Sequence, residues 1–187
     1  PNAKIINFAE LFTELNVALG SVRRVGLVGA DRMPAECHRQ IVSGFTGAAL
    51  VDITSEYVQL RYDKSPWERE QIQAAFRLAD MSYDAMVAAI RPGATEIQVA
   101  AAGEFAARSR GASGFGFSAI VGSGIRSNAV VPTASSKPLQ AGELVMLGLA
   151  PKVRGYAGVF GSTLPVDGRY TDRQKVCMGH LTEAFRL

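Results

Sequence analysis

The sequence predicts an α+β protein in which a small α/β unit is followed by paired helices on an antiparallel sheet. Three features carry that reading. Short apolar runs at residues 25–28 and 48–53 bracket a helical stretch. Two amphipathic helical patterns with start signals fill residues 65–110. After Gly111 come short apolar segments parted by Gly, Pro, Ser and Asn.

Taken in order, Phe8, Leu11, Phe12, Leu15, Val17 and Leu19 recur at helical spacing, and Gly20 stands where a helix C-cap would. Val25 to Val28 reads as a buried strand, Gly29-Ala30-Asp31 as a turn, Pro34 to Phe45 as a helix and Ala48 to Ile53 as a second strand. Strand, helix, strand is the grammar of a βαβ unit. The polar stretch Arg61-Tyr62-Asp63-Lys64 marks a boundary. Ser65-Pro66-Trp67-Glu68 starts a long helix: Ser65 caps free N–H groups, Pro66 suits the first turn and Glu68 closes a capping box. Ile72, Ala75, Phe76, Ala79, Tyr83, Met86 and Ile90 form its expected buried stripe, which Arg91-Pro92-Gly93 ends. Thr95 with Gln98 opens a second helix to about Arg110. Phe115 to Val121, Leu144 to Leu149 and Tyr156 to Phe160 read as strands, and Thr171 to Gln174 caps a last helix running to the end of the chain.

Composition narrows the function classes. The 187 residues are 48% hydrophobic, enough for a packed core. No apolar run approaches the roughly 18–20 residues of a membrane span. The opening Pro1-Asn2-Ala3-Lys4 has no secretory pattern, so a cytoplasmic location and no membrane partner are expected. A net charge of +3 with scattered basic residues gives no footprint for nucleic acid. Cys37 and Cys177 are far apart and outside any CxxC, which favours free thiols over a disulfide or a zinc site.

Several short motifs then follow one another in a recognisable order: Arg61-x-x-Lys64-Ser65-Pro66-x-Glu68, Ile90-Arg91-Pro92-Gly93-Ala94-Thr95-Glu96, Ser123-Gly124, Gly142-Glu143-Leu144-Val145 and Gly155-Tyr156. Each is common alone. In this order and spacing they resemble the pita-bread family of aminopeptidase P, prolidase and creatinase, peptidase family M24. The resemblance implies that residues 1–60 are the closing part of the family's N-terminal domain, including Gly26-Leu27-Val28-Gly29. It implies that residues 61–187 are the first half of its catalytic-type domain. It also implies an unpaired sheet edge and an exposed inner face, and hence a homo-oligomer such as a dimer, or a complementary second half as partner.

The family's peptidases hold two metal ions with carboxylates and a histidine. Carried onto this chain, the resemblance places the two aspartates of this half at Gly148 and Val159, and the upstream histidine at Val131. An arginine expected after the second aspartate is replaced by Ser162. No metal and no other cofactor is therefore expected here. Arg126, Asn128, Tyr156, Ser162 and Thr163 remain as groups that could hydrogen-bond a polar ligand, Arg126 by pairing with a carboxylate. Surface or turn roles are the favoured reading of each. His180 with Cys177, His38 with Cys37, and Asp167 in Val166-Asp167-Gly168-Arg169 read as surface, packing and turn residues. With Val131, Gly148 and Val159 lining it, the inherited pocket becomes apolar.

The leading expectation is a family member without metallopeptidase chemistry, binding a peptide-like or small amide ligand. A metal-independent hydrolase of a small C–N bond, as in creatinase, is the alternative and needs an acid–base pair that this half does not supply. A true Xaa-Pro metallopeptidase follows only if the register of Gly148 and Val159 is wrong.

Overall fold

A computed structural model describes residues 8–20 and 22–186. The opening Pro1 to Lys4 and the final Leu187, on which the leader and helix-end expectations fall, lie outside the described residues. The chain divides into two compact units, the first ending at Lys64 and the second beginning at Ser65.

In the first unit, helix α1 spans Phe8–Leu19. Strand β1 (Arg24–Leu27) lies parallel to β2 (Ala49–Asp52), with Val25 beside Leu50, and helix α2 (Ala35–Gly44) connects them. A further helix, α3 (Thr54–Leu60), was not foreseen. Its signal is short: the Asp52 carboxylate accepts from both the backbone N–H and the hydroxyl of Thr54, at 2.9 and 2.5 Å, which turns the strand end into a helix start.

The second unit is built on α4 (Pro66–Ala89) and α5 (Glu96–Arg108). Both open with reciprocal capping boxes, Ser65 with Glu68 and Thr95 with Gln98. Ala75, Leu78, Ala79, Ser82 and Met86 of α4 are buried, as are Val99, Ala100, Gly103, Ala106 and Ala107 of α5. The small residues let the two backbones approach closely. At Gly103 an added Cβ would lie 2.5 Å from the Met86 side chain. This packing rotates the buried stripe of α4 away from the expected one: Phe76 is 44% exposed, and Leu78 and Ser82 face inward instead.

The strands after Gly111 form two three-stranded antiparallel sheets among the described residues, where the sequence suggested a single one. One orders β3 (Gly114–Phe115), β6 (Pro151–Val153) and β7 (Tyr156–Ala157). The other orders β4 (Ile120–Ser123), β5 (Leu144–Leu149) and β8 (Phe160–Pro165). The run from Phe115 to Val121 therefore breaks between β3 and β4, and the run from Tyr156 to Phe160 breaks at Gly158 and Val159. Each break carries the chain from one sheet to the other, a step that apolar content cannot reveal. Helix α6 (Asp172–Ala184) follows a third capping box, Thr171 with Gln174, and buries none of its residues. Among the described residues no helix is long and apolar enough to cross a membrane.

Candidate functional site

Residues paired directly across neighbouring strands point to the same face of a sheet. The register sets Val121 opposite Leu147, and Val145 opposite Leu164. These side chains join Met86, Val99 and Leu149 in the core beneath α4 and α5. The same register sends Ile120, Gly122, Met146, Gly148, Gly161 and Thr163 to the other face.

That second face is the floor of a groove of about 680 Å³, walled by Cys177, Met178 and Leu181 along one side of α6, by Phe185 just past its end and by Val130. Gly148 and Gly161 face each other across β5 and β8, so the floor is bare backbone at that point. No lining residue carries a charge. The polar side chains on this side are those of Thr163, Gln174, Cys177 and Thr182, whereas Ser162, paired with Leu147, has its side chain on the opposite face of the sheet. Divalent ions bound by oxygen and nitrogen need carboxylates or imidazoles, and among the described residues no group of three His, Cys, Asp or Glu could hold an ion. The residues of this groove do not fit a dinuclear metal.

The residues singled out from sequence separate in space. Gly148, Ser162 and Thr163 line the groove. Val131 and Val159 do not: they are 63% and 53% exposed, and their neighbours Val130 and Phe160 line it in their place. Both lie in irregular chain, Val131 in the stretch before β5 and Val159 between β7 and β8. Asn128 is exposed at the end of the 3₁₀ turn Gly124–Asn128. Tyr156 packs edge-on against Trp67 and donates its hydroxyl proton to the Glu68 carboxylate at 2.8 Å, on the side of α4. Arg126 does pair with a carboxylate, but that carboxylate is the protein's own Glu96, 3.0 Å away. Its Nη2 is also committed, to the Thr133 carbonyl at 2.6 Å. The carboxylate that Arg126 meets in this structure is thus an internal one.

Glu96 is the residue that sequence reading missed. It is fully buried at the first turn of α5. Five groups donate to it: the backbone N–H and hydroxyl of Ser123, the backbone N–H and hydroxyl of Ser135, and Nε of Arg126, at 2.6–3.0 Å. Burial alone would raise its pKa, but hydrogen bonds from Ser135 and Ser123 together outweigh burial and hold the carboxyl below its ordinary 4.5. Beside it, Lys137 Nζ donates to Ser123 Oγ at 2.9 Å, to Glu143 at 2.6 Å and to the Pro138 carbonyl at 3.3 Å. A serine next to a lysine invites comparison with a nucleophile and its base. Here all three ammonium protons are engaged and Ser123 is fully buried, so the pair is not arranged to act on a substrate. The signal was nonetheless present in the sequence. The Thr95-Glu96, Ser123-Gly124 and Gly142-Glu143 motifs converge here, and Gly124 (φ 55°) is held so close to Glu143 that a Cβ would meet Oε1 at 2.2 Å.

A sequence model of metallopeptidase family M24 matches residues 70–186. An uncharacterised peptidase of Bacillus subtilis, YqhT, is 34% identical over 128 residues, which are 68% of this chain and 36% of that protein. Creatinase from a Bacillus species is 30% identical over 156 residues, 80% of this chain and 38% of the relative. The crystal structure of an X-Pro aminopeptidase from Thermotoga maritima superposes with a TM-score of 0.81 at 27% identity, covering 98% of this chain and 51% of that one. The chain thus spans between about a third and a half of the length of these relatives.

Proposed function

Since the chain belongs to metallopeptidase family M24, we propose that it is a member of that family which binds a peptide-like or small amide ligand in the groove without a dinuclear metal centre. The observation that carries this reading is the groove's lining. It is uncharged, its floor is bare at Gly148 and Gly161, and Gly148 stands where the resemblance places a metal-binding aspartate. A flat apolar floor suits an aromatic or aliphatic ring, while the Thr163 hydroxyl offers a hydrogen bond at its edge. Exposed Val130, Leu181 and Phe185 beside the groove support association of this face with a complementary half-domain or a second copy. Free Cys37 and Cys177 suit a reducing cytoplasm.

A second reading, a metal-independent hydrolase of a small C–N bond, draws on the 30% identity to creatinase over 80% of the chain. Its acid–base groups would have to come from outside the groove lining described above.

Calorimetry with benzyloxycarbonyl-proline amide, with and without manganese or zinc, tests the proposal. Binding of equal affinity in both conditions, abolished by Gly148→Leu and without turnover, is the expected result. Stoichiometric metal uptake at the groove with cleavage of Xaa-Pro peptides would overturn it. Metal-free cleavage of the amide bond would favour the creatinase-like reading instead.

A further inference from the structure

Residues 129–138 make no regular element, yet they have a fixed course along the edge of β4. Thr133 bridges Ile120, and the Pro132 carbonyl accepts from Val121 N–H at 3.3 Å. Pro132 lies so close over Gly122 that a Cβ there would sit 2.5 Å from its ring. Val130, from the same segment, lines the groove. Farther on, Ser135 and Lys137 offer their carbonyls to the N–H groups of Ile97 and Glu96, both at 3.1 Å. The segment is thus strung between the edge of β4 and the first turn of α5.

The side chain that ties β4, the segment and α5 together is Glu96. Its Oε1 takes both donors of Ser123, at the end of β4. Its Oε2 takes both donors of Ser135 in the segment itself. Arg126, held by Oε2, reaches across to the Thr133 carbonyl. We propose that Glu96 is the positioning residue of the groove wall: its buried carboxylate holds residues 129–138 against β4 and so sets where Val130 stands over the floor. The inference rests on the groove being the ligand site only in what the wall is for. The clamp itself is a property of the unliganded chain.

A neutral amide cannot replace this carboxylate. The four oxygen lone-pair sites of a carboxylate all accept, whereas the NH₂ of glutamine would face the N–H and O–H donors of one of the two serines. A buried hydrogen-bonding group turned against its partners leaves them unsatisfied, and the weakest local structure opens first.

The test is amide hydrogen exchange on the full chain carrying Glu96→Gln, with no ligand present. Exchange at the bonded amides of the segment, Ser135 and Lys137, and at Val121, which donates to the Pro132 carbonyl, should rise at least tenfold, while amides of β5 and the middle of α4 stay within about twofold of the parent. A fluorescent apolar probe, 1-anilinonaphthalene-8-sulfonate, should change its affinity for the groove by several-fold in the same variant. A rise spread evenly over α4, α5 and β5 would reduce Glu96 to a general stabiliser and overturn the proposal, as would no rise in the segment. If Glu96→Gln does not fold, Ser135→Ala decides by the same criterion. It removes one donor from the segment and leaves Glu96 on Ser123 and Arg126, so a smaller rise in the same residues is expected. Because the exchange readout needs no ligand, a groove that binds no amide would sink the functional reading and leave this one standing.

Discussion

Replacing Gly158 by alanine forces a direct conflict between the β7–β8 link and helix α4. A Cβ at this position would lie 2.5 Å from the Ala75 carbonyl carbon and the Phe76 nitrogen, and 2.6 Å from the Ala75 oxygen. Ordinary contact begins near 3.5 Å, so something must move by about 1 Å. All three atoms are main chain in the middle of a long helix, and no rotamer change relieves them. The link must therefore lift, and the Gly158 N–H bond to the Pro151 carbonyl, 3.1 Å long, is strained with it. Overpacking of this kind costs on the order of 3 kcal/mol, which for a unit of this size lowers the melting temperature by roughly 10 °C. The assay is thermal unfolding followed by tryptophan fluorescence. Trp67 is the sole tryptophan, and its ring lies 6.0 Å from that of Tyr156, two residues before the substitution. Gly161→Ala is the control, because its Cβ would meet nothing closer than 3.9 Å. A Gly158→Ala protein melting within about 2 °C of the parent, with unchanged Trp67 emission, would refute the close approach argued here.

Other predictions follow from the same contacts. Glu96 has a folded pKa below its unfolded one, so the stability it contributes is complete above about 4.5 and is lost as pH falls through the folded value. Urea midpoints between about pH 3 and 7 should fall on the acid side in the parent and less steeply in Glu96→Gln; Arg126, Lys137 and Glu143, the charged groups around it, are kept in both proteins. Gly148→Leu should weaken binding of an apolar dye at least tenfold with little change in melting temperature, because its Cβ meets Ile120 at an ordinary 3.4 Å and the rest of the side chain projects into the groove. Ser65→Ala removes the hydroxyl that accepts from Glu68 N–H and should cost about 1 kcal/mol, read as a shift in denaturant midpoint without loss of cooperativity.

Local signals were legible wherever the chemistry is local. The caps at Ser65, Thr95 and Thr171 each open a helix where their spacing requires it. The parallel pairing of β1 and β2 follows from the short strand–helix–strand run. The Asp52–Thr54 helix start escaped notice because one carboxylate and one hydroxyl made it, with no apolar period behind them.

The order of elements, the family resemblance, and the apolar character of the positions at Gly148, Val131 and Val159 can be read from the residues alone. The tertiary structure decided which of these meet. Strand register put Gly148 on the groove floor, whereas Val131 and Val159 lie between the regular elements, outside its lining, where no strand period fixes a face. It also turned Arg126 inward to Glu96, because a buried carboxylate requires donors and those near it in space come from residues 27 to 39 positions farther along the chain. Separations of that length leave no period to read, and only the folded packing of α5, β4 and the 129–138 segment closes them.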